Sequence, residues 1–353
     1  VDKKAKEGFY MIGRSILIVL LYLFVANSSE GIERYRWRLA EEEVEGSVCD
    51  LYAREFARLL KEKSGGTIEL SIFPLGTLGT PQEIYDLCRQ GSVDFLLDGA
   101  GQVGARVPEN QIFSIPFFFS DDDDENERIL SKSVALNEYL TSAYERQGVT
   151  VLAYWSEGAM DWTSNRNLTS PEDFKGLKIR TMPSGIIGRC YETLGAKPRV
   201  VPFMEVYTSL HLGHVEAQEN APYIVEEMGF MDFQSHYVRS KHKIYVMQTM
   251  VNLKMWKNLP QDVRDIVLES IEELRPLALK IQREQNRKKL DKIVSSMEKS
   301  QRYVSLSKKQ RYLLRRAFEN CGSRLYVENS NDKKLARKIY ETIKKEIEEI
   351  TGR

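Results

Sequence analysis

Arg180 is the residue whose type and setting best suit the capture of a small anion. It stands in residues 176–183 (GLKIRTMP), near the end of a run that alternates apolar and polar positions as a strand does. Leu177 and Ile179 share one face, so Arg180 lies on the other. A guanidinium at a strand end can grip a carboxylate through two parallel hydrogen bonds, which lysine cannot reproduce. Pattern alone equally describes an ordinary surface arginine, the commoner case. His211 and His214 sit three apart on one predicted helix face and could ligate a metal. No carboxylate or cysteine at matching spacing completes a site, so surface histidines are the simpler reading. Neither a G-x-S-x-G elbow nor a Walker A loop occurs, and no G-x-G-x-x-G is read after a strand. The chain is expected to bind rather than transform, with no cofactor and no metal.

Composition agrees. The 353 residues suffice for two domains. Lys+Arg and Asp+Glu are equal at 51 each, and no basic block interleaved with aromatics suggests nucleic acid. Lys3, Lys4, Lys6 and Arg14 precede the apolar run 15–25 (SILIVLLYLFV) and the small or polar residues 26–28. That order predicts a secretory signal peptide over residues 1–28 and hence a periplasmic location. The run is short for a membrane helix, although an uncleaved anchor is the alternative. Val1 or Met11 could be the true start. Cys49, Cys88, Cys190 and Cys321 match no metal motif. They allow three full disulfide pairings, or free buried thiols.

The elements that would position Arg180 read as α/β. A strand from Tyr35, a helix over 48–61, a strand over 67–73 and a strand over 92–97 follow one another. Between the last two, Thr80, Pro81 and Glu83 form a capping-box start, and Gly91 ends that helix. Ser170 to Asp173 is another capping start stopped by Gly176, followed by a strand over 177–181, a helix over 185–194 and a short strand over 199–201. Residues 260–298 keep helical spacing and would span roughly 58 Å at about 1.5 Å per residue, with Pro276 expected to kink or break them. A terminal amphipathic helix is expected over 330–350. The acidic run 121–124 reads as a solvated loop.

One pattern occurs twice. Residues 83–98 and 205–220 both fit E-[IV]-Y-x5-G-x-V-[DE]-x3-[DN], 122 residues apart. Each copy is a helix feeding a strand that ends on a polar residue, Asp98 or Asn220. Ligands bind beyond the carboxyl ends of such strands, so Asp98 and Asn220 are expected to face each other across a cleft.

Residues 170–183 (SPEDFKGLKIRTMP) resemble the D-x-K-G-x-K-[IL]-R-x-x-P stretch of the DctP-type periplasmic receptors of TRAP transporters. Residues 194–210 (LGAKPRVVPFMEVYTSL) and 213–220 (GHVEAQEN) resemble that family's L-G-A…F-x-E-V-Y and G-x-V-D-G-Q-E-N stretches. Residues 75–79 (LGTLG) and 115–119 (IPFFF) are also similar, and the likeness covers roughly residues 34–340.

The resemblance implies a two-lobed flytrap fold with a long helix spanning both lobes. Lobe I would comprise 34–157 plus 246–285, lobe II 158–245 plus 286–340, and 341–353 a helical end. It implies Arg180 as carboxylate clamp, Asn220 as its helper and Phe203 against the ligand's carbon skeleton. Asp98 and the Thr80 region would read the distal groups, with Trp155, Glu43 and Tyr223 as further pocket candidates. The expected function is delivery of a small organic acid to a membrane permease. A C4-dicarboxylate, a hydroxy or keto acid and a sugar acid all suit one clamp. The alternative is a sensing subunit for a membrane receptor. One departure stands out. Many members carry an arginine two residues after the glycine that here is Gly158, and this chain has Met160.

Overall fold

The structure is a computed structural model that describes residues 33–352. The expected signal peptide, residues 1–28, lies outside them. Among the described residues no helix is long and apolar enough to cross a membrane.

The first lobe is built on β1 (Tyr35–Glu41), which runs parallel to β2 (Ile68–Phe73) on one side and β3 (Phe95–Gly99) on the other. The helix α1 (Val48–Lys63) is capped by Ser47, whose side chain accepts from the Asp50 N–H. It buries Tyr52, Phe56, Leu59 and Leu60 against Trp37 and Phe95. The capping box at Thr80 forms in full and starts α2 (Pro81–Gln90), which Gly91 ends at φ 82°.

The acidic run departs from expectation. Asp122 is the N-cap of α3 (Asp123–Lys132), accepting from the N–H groups of Asp124 and Glu125 at 2.9 Å each. Carboxylates gathered at a helix start meet the positive end of its dipole, which favours a helix here over a loop. Arg283 also pairs with Asp123 at 3.5 Å and Asp124 at 2.8 Å.

Two long strands cross from lobe to lobe, β4 (Val149–Ser164) and β8 (His236–Asn252). Their one end pairs with β3 through Phe95↔Val251 and the other with β7 (Ala217–Asn220) through Asp161↔Asn220. The second lobe adds β5 (Lys178–Thr181) and β6 (Lys197–Val200). The continuous order is β2-β1-β3-β8-β4-β7-β5-β6, with β9 (Arg302–Ser305) beside β8. The expected turn of helix at Ser170 is a single 3-10 turn. The helix α4 (Gly185–Thr193) covers this end of the sheet. Its Cys190 is disulfide-bonded to Cys321 with Cα atoms 5.1 Å apart, while Cys49 and Cys88 are buried free thiols.

The sequence repeat is structural. The second copy comprises α5 (Val206–His211) and β7, and α6 (Pro222–Glu227) follows. The Gly91 N–H donates to Cys88 O and the Gly213 N–H to Leu210 O, both at 3.1 Å. The next N–H groups, of Ser92 and His214, donate to Leu87 O and Ser209 O, both at 2.9 Å. The acidic residues of the two copies act alike. Asp94 accepts from the Arg38 N–H at 2.8 Å and Glu216 from the Lys178 N–H at 3.1 Å.

The long helix α7 (Gln261–Ser296) runs through Pro276 without the break that was one of the two expectations there, with Leu274 and Ala278 buried on either side. Packing of the flanking turns outweighs the hydrogen bond that proline removes. It spans roughly 54 Å at about 1.5 Å per residue and lies along α1, β4 and α6. The expected lobe boundaries at 157/158 and 245/246 fall inside β4 and β8, where Gly158 pairs with Tyr245. The helices α8 (Ser323–Asn329) and α9 (Lys333–Thr351) place Tyr326, Ala336, Ile339 and Ile343 against Ile84, Phe113 and Leu140 of the first lobe.

Candidate ligand-binding site

A cleft of about 590 Å³ opens where the two lobes meet. Glu42, Glu43, Val44, Leu75, Thr80 and Gln102 line it from the first lobe. Arg180, Met182, Phe203, Asn220 and Ile224 line it from the second, with Tyr245 of β8 at its base. Volumes of this order suit one small organic molecule.

Arg180 is the unusual member. Strand alternation sends Ile179 into the second-lobe core and Arg180 to the other face, at the carboxyl end of β5. It is 1% exposed. Its Nε donates to Val201 O at 3.1 Å, which fixes the plane of the guanidinium. Nη1 and Nη2 are buried and have no partner. Burial lowers its pKa to about 10, with the carboxylate of Glu219 opposing that shift. A buried cation with two idle donors is costly unless an anion joins it.

Five of the eight sequence candidates line this cleft: Arg180, Asn220, Phe203, Thr80 and Glu43. Asn220 turns its amide nitrogen to Gln218 Oε1 at 2.6 Å. Thr80 caps α2, its hydroxyl donating to Glu83 Oε2 at 2.9 Å. Three candidates lie elsewhere. Trp155 is in the core, stacked on Tyr52 at 4.2 Å with its Nε1 donating to Thr249. Tyr223 is buried behind Glu43. Asp98 does not face Asn220 across open space. It sits behind Glu42, close enough for the two carboxyls to hydrogen-bond.

Residues 39–348 match the DctP family, described as bacterial extracellular solute-binding protein, family 7. The chain belongs to that family. Family 7 proteins bind solutes and are not enzymes. The ectoine-binding periplasmic protein TeaA of Halomonas elongata is 30% identical over 234 residues, which are 66% of this chain and 68% of that one. The C4-dicarboxylate-binding periplasmic protein DctP of Rhodobacter capsulatus is 29% identical over 239 residues, 67% and 71% of the two chains. Among solved structures, the apo open form of a TRAP periplasmic solute binding protein from Marinobacter aquaeolei VT8 superposes with a TM-score of 0.82 at 30% identity. It covers 88% of this chain and 99% of that one.

Several charged residues of this family 7 protein carry no sequence signal. Glu219, next to Asn220, is fully buried and binds His242 Nε2 at 2.8 Å, Tyr191 Oη at 2.5 Å and Lys243 Nζ. Burial opposes its ionisation, but Lys243 and His242 outweigh that and hold it well below the usual carboxylate range. Lys243 lies opposite the buried Met160 in the β4–β8 pairing. Around the first-lobe wall, Glu41, Glu42, Glu43, Asp98 and Glu157 are all buried. Burial pushes Glu41 up to about 8 and Glu43 to about 7, and raises Glu42, Asp98 and Glu157 as well.

Contrary to the sequence reading, residues 99–104 (GAGQVG) do fit the spacing G-x-G-x-x-G at the end of β3, a pattern tied to dinucleotides when a helix follows. The helical segment here ends at Val103. A Cβ at Gly99 would strike Tyr245 and Glu42, and one at Gly101 would strike Met182. Side chains fill the space a pyrophosphate would need. His211 stacks on Phe233. Among the described residues no group of three or more His, Cys, Asp or Glu could hold a metal ion.

Proposed function

We propose that this protein captures a small organic acid outside the cytoplasmic membrane and hands it to a TRAP-type permease. Arg180 clamps the ligand's carboxylate, Asn220 adds a hydrogen bond on the same group, and Phe203 covers the carbon skeleton. Thr80 and Glu43 contribute from the facing lobe. Closure of the lobes excludes water, which strengthens the ion pair. Residues 1–28 carry the chain across the membrane. The observation behind this reading is the pair of unpartnered Arg180 nitrogens in the cleft. The relatives named for ectoine and for C4-dicarboxylates give it chemical context, since both ligands are carboxylates.

The test is calorimetric titration of ligands found by a thermal-shift screen of organic acids. Bound ligand raises the melting temperature by mass action. Arg180→Ala should weaken binding at least about 100-fold, and Arg180→Lys should restore little, because the bidentate fork is lost. Unchanged affinity in Arg180→Ala would refute the clamp.

A further inference from the structure

We propose a second binding site, for a small phosphate-bearing solute, in a cavity beside α7 that shares no residue with the ligand cleft. The cavity holds about 610 Å³ and is lined from α7, β4, β8 and the start of α3.

Helical spacing gathers the charge. Lys280, Arg283 and Arg287 recur at steps of three and four and so share one face of α7, while Arg239 enters from β8. Against these four stand Asp123 and Glu284. The four cations differ in how far they are neutralised. Arg283 is held by Asp123 and Asp124. Arg239 Nη1 binds the fully buried Asp161. That carboxylate also accepts from the Tyr237 hydroxyl at 2.7 Å and the Lys241 N–H at 2.9 Å, so it offsets Arg239 only in part. Lys280 and Arg287 are exposed and have no ion pair among the described residues.

A neutral side chain points to a ligand independently. Gln282 lines the cavity and is 1% exposed. Its Oε1 accepts from Asn286 Nδ2 at 3.2 Å, and Asn286 is itself fixed by donating to Glu157 O at 2.7 Å. The amide orientation is thereby set, and Gln282 Nε2 is left a buried donor with no partner. Such a donor is costly until an acceptor meets it. An oxyanion in the cavity supplies that acceptor and meets the cations as well. A phosphate group has three acceptor oxygens and a charge of about −1.5 to −2, enough for donors arriving from both α7 and β8. A planar carboxylate serves fewer of them, and a cation would be repelled. Pro276, Leu279 and Leu290 offer apolar surface to the rest of the solute.

The experiment titrates the protein with inorganic phosphate and phenyl phosphate by calorimetry, with chloride holding the ionic strength constant. Each is measured on the wild type, Arg287→Gln, Gln282→Met and Arg180→Ala. Phenyl phosphate should bind with a Kd of about 1 mM or tighter, and more tightly than phosphate. Arg287→Gln and Gln282→Met should each weaken it at least about tenfold, since each removes a donor to the anion. Arg180→Ala should leave it within about twofold, because distant sites act independently. Arg287 is exposed, so a folded variant is expected. Melting curves check both variants, and should Gln282→Met unfold, a Lys280→Gln, Arg287→Gln double variant is titrated in its place. The inference is overturned if neither phosphate binds, or if binding survives the α7 substitutions. It is also overturned if Arg180→Ala abolishes binding, which would put the anion in the cleft and leave the carboxylate clamp standing. Phosphatidylglycerol vesicles carry the same oxyanion on a lipid. Retention on them that Arg287→Gln abolishes, without binding of either soluble phosphate, would overturn the soluble ligand.

Discussion

Tyr223 and Glu43 join the two lobes beneath the ligand cleft. The Tyr223 hydroxyl, on α6 behind the second-lobe strand β7, donates to Glu43 Oε1 of the first lobe at 2.7 Å. The same oxygen lies 2.5 Å from Glu157 Oε2 on the crossing strand β4. One phenolic hydrogen cannot serve two carboxylates, so the second contact needs a proton on a carboxyl. Burial pushes Glu43 and Glu157 upward, in keeping with that shared proton.

Tyr223→Phe removes the hydroxyl and leaves both carboxyls short of a partner. Stability should fall by about 1–3 kcal/mol. The loss should be larger at pH 8 than at pH 6, because the remaining acids then have to stay protonated to be tolerated. Urea denaturation at the two pH values measures both, and an equal loss at each would contradict the shared proton.

Arg180→Met should separate stability from function. The substitution removes a buried guanidinium whose Nη atoms have no partner and fills the space with an apolar chain. The ligand-free protein should gain about 1 kcal/mol, while binding is lost. A variant less stable than the wild type by the same margin would mean that the guanidinium serves the fold.

The pH dependence of the ligand-free protein follows from its buried acids. Glu41 at about 8 and Glu43 at about 7 lie above the ordinary 4.5 because of burial. Between 4.5 and 8 the folded chain holds protons that the unfolded chain has released, so their stabilisation is full below 4.5 and fades as pH rises through 7 and 8. Buried His242, lowered from 6.5, acts oppositely, and so does Glu219 below pH 4.5. The acids are the more numerous group in the neutral range. The melting temperature should therefore decline from pH 6 to pH 8 at constant ionic strength, and a rise over that interval would be incompatible with this balance.

Thr80 has a structural task as well as a place on the cleft. Its Oγ1 accepts from the Glu83 N–H at 3.3 Å while Glu83 reaches back to the Thr80 N–H at 2.7 Å. Thr80→Ala should cost about 1 kcal/mol of stability, and Thr80→Ser should recover most of it. Urea titrations of the two variants decide the point, and equal losses in both would argue against the cap.

Much of this was readable along the chain wherever the cause is local. Thr80, Glu83 and Gly91 are read correctly because capping involves neighbours. The duplicated turns at Gly91 and Gly213 are legible for the same reason. Arg180 could be placed on the right face of its strand, but not known to be buried, since the residues around it, Val201, Glu219 and Tyr245, are remote in sequence. The buried glutamates are the clearest omission. Only Glu43 was a candidate, and nothing near it in sequence indicates its setting, because Tyr223 is 180 residues away. Tyr245, which meets Glu42, is 203 away. Trp155 was misplaced because an aromatic suits a core and a pocket equally.

The shared strands and helix have a thermodynamic consequence. β4, β8 and α7 each contribute to both halves of the molecule. Neither half can melt without stripping its neighbour of ladder hydrogen bonds and of the apolar face of α7. Heat should therefore unfold the whole in one cooperative step, with calorimetric and van't Hoff enthalpies equal. Against denaturation, the two lobes are held as a single unit.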